Sequence, residues 1–151
     1  MDIESDAFKN GGYIPDRYTC DAQDFSPVLS WSNAPQATKS FALIVDDPDA
    51  SFKVWVHWVI FNIPAETSKL KENITIDELS SLGIVQGTND FEVLDYRGPC
   101  PPQGKPHRYS FKLYALDMKL SLEEGATKSE LIKAIQGHII AETKIVVSYQ
   151  R

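Results

Sequence analysis

Basic residues are few and never cluster: 15 lysines and arginines face 21 aspartates and glutamates, for a formal net charge of −6. Without a Lys/Arg run, the footprint of a nucleic-acid binder is missing, and a flat anionic membrane surface is disfavoured. Any anion must be held locally, against the overall field. Long apolar runs are missing too, since none reaches the ~18 residues of a transmembrane helix. The opening "MDIESDAFKN" carries acids where a signal peptide would carry a basic segment followed by an apolar one, so the expected location is cytoplasmic. Cysteine is nearly absent: Cys20 and Cys100 stand far apart with no CxxC spacing, which excludes a zinc knuckle and a thioredoxin-type motif. The two are either free thiols or one disulfide, and a reactive Cys100 would need a nearby base to lower its pKa. Inert cysteine is the commoner case, so a structural role is expected. No serine sits in a G-x-S-x-G elbow, so that hydrolase signature is absent.

What remains is an ordinary globular composition, 42% hydrophobic and 24% charged. Residues 1–151 read as one domain, long enough to bury a substantial core. The pattern is mostly period two. In "SFALIVDDP" the run Phe41 to Val45 is apolar on both faces, as in a central strand, and it ends at the turn signal Asp47-Pro48-Asp49. In "KVWVHWVIF" strict alternation puts Val54, Val56, Trp58 and Ile60 on one side and Trp55, His57, Val59 and Phe61 on the other, so His57 points into apolar surroundings. "HRYSFKLYALD" alternates most clearly, with His107, Tyr109, Phe111, Leu113 and Ala115 facing inward. Between these strands, "RGPCPPQGKP" spans residues 97–106. Its four prolines and two glycines make a stiff loop with room for a cis X-Pro bond. Capping-box pairs, Thr75 with Glu78 and Thr127 with Glu130, predict short helices over 76–82 and 128–136. "AETKIVVSY" reads as a last strand because β-branched residues favour a pleated surface. The expected fold is mainly β: an antiparallel β-sheet sandwich with one or two short peripheral helices.

Burying a histidine or carboxylate without partners costs several kcal/mol, so polar groups on inward strand faces should find one another or a ligand. That rule groups Asp47, His57, His107 and Tyr109, each at or near a strand end beside the Pro-rich loop. Imidazole N–H groups, a phenol O–H and the loop amides of Gly98 and Cys100 suit an anion of phosphate size. Asp47 would repel an anion unless it accepts a histidine N–H or meets a cationic group of the ligand. Taken singly, a strand-face histidine is more often a satisfied core residue, a DPD tripeptide only a turn, and Trp55, Trp58 and Phe61 are core by default. Spacing alone does not decide between these readings.

"DDPDAS", "WVHWVIFNIP", "GPCPPQGKPHRYSFKLYALD" and "GHIIAETKIVVSYQR" together closely resemble the phosphatidylethanolamine-binding protein family, also called Raf kinase inhibitor-like proteins, and in particular its short prokaryotic branch. The resemblance runs from about "YTCDAQDFSPVLSW" to the end. It implies a β-sandwich and a small anion pocket lined by Asp47, His57, His107 and Tyr109, with Gly98 and Pro99 as loop wall and Trp55 as side. The implied ligands are phosphate-like anions and phosphorylated headgroups, with no cofactor and no metal. A kinase or protease partner, or a homodimer, is compatible with it. Two departures stand out: Ser51 replaces the usual proline after DPDA, and "NDFEVLDYRG" lacks a glycine-rich sequence, so the rim near residues 90–97 is expected to differ. The first reading is thus a non-catalytic binding protein. Serine protease inhibition is the alternative, although no reactive-site loop can be identified. An enzyme using Asp47, His57 and His107 as a two-histidine, one-carboxylate metal site ranks last, because no fourth ligand or separate base is evident.

Overall fold

The computed structural model describes residues 1–151. Five strands form the large sheet, in the order β6 (Val85–Gln86), β4 (Trp55–Pro64), β3 (Ser40–Asp47), β7 (His107–Leu116) and β8 (Ile139–Tyr149). Three short strands, β1 (Asp2–Glu4), β2 (Leu29–Ser32) and β5 (Lys69–Leu70), form a second sheet, and every pairing is antiparallel. Helices are confined to α1 (Ile76–Ser81) and α2 (Lys128–Ile135), with one 3-10 turn at Asp16–Tyr18. Both capping boxes are formed, with Thr75 and Thr127 accepting from the amides of Glu78 and Glu130, which satisfies amides that a helix start otherwise leaves open. β1, β2, β5 and β6 are too short to leave a periodic signal, so the sequence reading found only the long strands.

The two faces of β3 bury different cores. Phe41, Leu43 and Val45 pack toward the small sheet with Trp31, Trp58, Phe111 and Ile145. Ala42 and Ile44 pack toward α2 with Val59, Phe61, Leu131 and Ile135. All eight β3 residues are buried, as the unbroken apolar run implied.

β4 departs from strict alternation. Val45 pairs with Trp58 but Asp46 pairs with Val56, so His57 is the extra residue of a β-bulge. A second register shift falls between Phe41 and Leu43, where Asn62 adopts a φ of 55°. Each bulge flips the pleat: Val56 joins Val59 and Phe61 on the α2 side, while Ile60 and Ile63 both face the small sheet. Val54, exposed, lies outside the strand. The expected grouping of Val54 and Val56 with Trp58 and Ile60 is therefore corrected. Hydrophobic pattern cannot reveal a bulge when both faces are apolar. No peptide bond is cis, so the prolines of 97–106 shape their loop through fixed φ alone.

Candidate functional site

β3 runs antiparallel to both neighbours, so its C-terminal end meets the N-terminal ends of β4 and β7, with Asp47 opposite Trp55 and Asp46 opposite Ser110. Asp47, Trp55, His57, His107 and Tyr109 come together there around a cavity of about 270 Å³. Ala50, Ser51 and Phe52 from the turn after β3, Phe91, and Cys100, Pro101 and Pro102 complete its wall. Larger surface hollows exist elsewhere, but none gathers histidines with a buried carboxylate.

Asp47 is the hub. Its Oδ1 accepts the Asp49 amide at 2.7 Å, closing the turn, and its Oδ2 accepts from His107 Nδ1 at 2.7 Å. The DPD motif is thus both a turn and a site element. The imidazole Asp47 holds is that of His107. Asp49 reaches across to β7, where its carboxylate takes the Arg108 amide, Nε and Nη2 at 2.8–2.9 Å. That grip holds the Asp49 carboxyl at about 2, below the usual range.

His57 is fixed by the bulge. Freed from the ladder with β3, its carbonyl accepts the Arg97 amide at 3.2 Å and Asn89 Nδ2 at 3.1 Å. Its own Nδ1 donates to the Arg97 carbonyl at 2.6 Å. The ring lies edge-on to Tyr109 and Phe91, each with centroids 5.3 Å away. Burial pulls the His57 pKa down, against the opposing pull of the Arg97 contact and of Asp47, Asp24 and Asp46. Burial also pushes the Tyr109 phenol up, and the facing Asp47 carboxylate adds to the effect.

Gly98 and Pro99 do not line the cavity. The Gly98 amide donates to Asp24 Oδ1 at 2.9 Å, and the Pro99 carbonyl accepts the Cys20 amide at 3.1 Å. A Cβ on Gly98 would collide with the Tyr18 carbonyl and the Asp24 side chain, so glycine is there to let two backbones touch. The wall is one step further along, at Cys100-Pro101-Pro102. Cys20 and Cys100 form a disulfide across a separation of 80 residues, stapling that wall to the segment after the 3-10 turn. The open question of the thiols is thus settled as a structural bridge.

Sequence reasoning missed Phe91 and Asn89. The Asn89 side chain bonds the His57 and Asp95 carbonyls and the Phe91 and Val93 amides, folding 89–97 over the cavity. Phe91 stands edge-on to Trp55 at 5.7 Å. Only Phe91, set between the acids Asp90 and Glu92, hinted at this. No three His, Cys, Asp or Glu side chains converge into a set that could hold a metal ion. No helix is long and apolar enough to cross a membrane.

The comparisons agree with this architecture. The family model described as phosphatidylethanolamine-binding protein matches residues 4–150. A UPF0098 protein of Methanothermobacter thermautotrophicus is 52% identical over 151 residues, covering 100% of this chain and 99% of that one. One from Aquifex aeolicus is 45% identical over 154 residues, covering 100% and 89%. A crystal structure of a phosphatidylethanolamine-binding protein homologue from Chlamydia trachomatis superposes with a TM-score of 0.91 at 39% identity, covering 99% and 97%. E. coli YbcL, described as a new member of the mammalian family, gives 0.92 at 34%, covering 99% and 98%. These relatives are prokaryotic, and the chain belongs to the phosphatidylethanolamine-binding protein family.

Proposed function

We propose that the chain is a non-catalytic binding protein whose cavity at the end of β3 holds a phosphate-like anion or a phosphorylated headgroup. The observation that carries this reading is the approach of His57 and His107, from two different strands, to one small cavity beside a buried carboxylate. Asp47 is engaged by His107 and the Asp49 amide, so its charge is partly answered before any ligand arrives. His57, His107 and Tyr109 supply the polar contacts, and Trp55 and Phe91 the flat apolar side. Gly98 and Pro99 hold the loop from behind.

Phe52, fully exposed, and Phe91, 39% exposed, rim the mouth. They are the surface on which a kinase, a protease or a second copy of the chain would sense an occupied cavity. The proposed cytoplasmic location is constrained by the Cys20–Cys100 bond, because disulfides persist in the cytosol chiefly in hyperthermophiles.

Isothermal titration with inorganic phosphate and with phosphoethanolamine tests the reading. Binding to wild type that weakens in His57→Ala and His107→Ala, with near-ultraviolet circular dichroism unchanged, supports it. Absence of binding to wild type ends it.

A further inference from the structure

Three buried side-chain polar atoms find no protein partner: Trp31 Nε1, Asp46 Oδ1 and Gln86 Nε2. Of these residues only Gln86, 5% exposed, lines one of the larger surface hollows. Chemistry sets the orientation of its amide. Trp58 Nε1 only donates, so the atom 3.1 Å from it is the Gln86 oxygen, and the nitrogen with its two N–H groups is left over. A buried donor of this kind calls for an acceptor from outside the fold.

The hollow encloses about 630 Å³ along β6, an edge strand of the large sheet. Ile76 from α1, Val85, Leu94 and Leu122 give it apolar walls, and each stays at least partly exposed. Glu123 and Glu124 stand at its rim, exposed and outside every salt bridge of the fold. No lysine or arginine lines it, unlike the hollows beside Lys112 and Lys53. The edge is closed to an added strand, because the Gln86 carbonyl accepts the Gly125 amide and Thr88 donates to the Ala126 carbonyl, both at 2.9 Å. A ligand must therefore lie across the hollow and be read by its side chains.

We propose that this hollow is a docking groove for a partner protein, which enters as an extended segment alternating leucine-like side chains with lysine or arginine. The apolar side chains cover Ile76, Leu94 and Leu122, a peptide carbonyl accepts from Gln86 Nε2, and the cations meet Glu123 and Glu124. A free aliphatic amine would bring the cation and the apolar chain but no acceptor for Gln86. The groove uses neither histidine of the cavity at the end of β3.

The net charge of −6 attracts any basic peptide, so the test must separate the groove from the overall field. The intact nitrogen-15-labelled protein is titrated with the acetylated, amidated tetrapeptide Leu-Lys-Leu-Lys and followed through its amide signals at low and high salt. The Gln86 side-chain signals and the backbone amides of Val85, Leu94 and Leu122 should move along one saturation curve. Glu123→Gln with Glu124→Gln should weaken binding about five- to tenfold, the worth of two exposed ion pairs. Leu122→Ser should weaken it about tenfold through lost apolar cover; if that variant does not melt as wild type does, Ile76→Ser takes its place. The matched peptide Leu-Glu-Leu-Glu should not bind. No saturable movement at Gln86, undiminished affinity in the variants, or equal affinity for the acidic peptide overturns the groove. Shifts scattered over the acidic surface that vanish at high salt reduce the contact to overall charge and overturn it as well.

Discussion

Asp46 and Asp47 occupy consecutive positions at the end of β3, and strand geometry sends their carboxylates to opposite faces of the large sheet. Both are buried, at 0% and 4% exposure. Asp46 faces the α2 side, where Lys128 Nζ at 2.7 Å and Lys112 Nζ at 3.2 Å meet the same oxygen. Its charge is answered by two permanent cations, and the pair ties α2 to the sheet. Asp47 faces the cavity and is answered by an amide and by an imidazole whose far nitrogen stays open. Identical chemistry thus becomes a fastening on one face and a site on the other. What decides is whether the partner keeps a polar atom open to a ligand.

Removing the staple behind the site should have the largest effect. Cys20→Ser with Cys100→Ser opens an 80-residue connection and should cost about 4 kcal/mol in urea denaturation, as chain entropy predicts for so long a loop. It should also weaken phosphate binding, since Cys100 and both following prolines form the wall. Next, Asp46→Ala strands two lysines and should cost about 3 kcal/mol of stability, while phosphate affinity measured by calorimetry stays within about twofold. A large loss of affinity would show that the two faces are not separable. His57→Ala and His107→Ala invert that pattern: each should lose about 1.5–3 kcal/mol of phosphate binding, the worth of a hydrogen bond to a charged group, while the fold survives.

Asp47→Asn sharpens the contrast further, with an effect of about 1 kcal/mol. With the amide oxygen kept on the Asp49 N–H, the new NH2 would face His107 Nδ1, so the ring would carry its proton on Nε2. Phosphate should then bind tighter and phosphoethanolamine weaker. The smallest effect is on stability against pH. Burial lowers the His57 pKa while the unfolded ring titrates near 6.5. Between those two values the unfolded chain binds more protons. Stability should therefore be flat above about pH 6.5 and fall as pH drops through the folded pKa, at no more than about 1.4 kcal/mol per pH unit. Asp49, held at about 2, titrates well below that window. His57→Gln should remove this slope in thermal melts.

The long strands and both capped helices were legible because periodicity and capping chemistry are local. The grouping of Asp47, His57, His107 and Tyr109 was legible because buried polar groups on inward faces must meet something, whereas Trp55 joined it only through the family resemblance. Three things were not. The His57 bulge hides between two apolar faces. Phe91 depends on Asn89 folding residues 89–97 back onto β4, a contact 32 residues apart. Gly98 looked like a ligand contact, whereas its need for glycine comes from the backbone pressed against it. Each depends on contacts distant in sequence, which periodicity does not encode.

The central claim is that His57 and His107 present their Nε2 atoms to one phosphoryl group. Long-range proton–nitrogen correlation spectra of the imidazoles, recorded during an inorganic phosphate titration near pH 6.5, test it most directly. The account predicts Nδ1-protonated rings in the free protein. It also predicts Nε2 signals of both residues moving toward the protonated range along one saturation curve, with His138 unmoved. Rings that ignore saturating phosphate, or that respond along separate curves, contradict it.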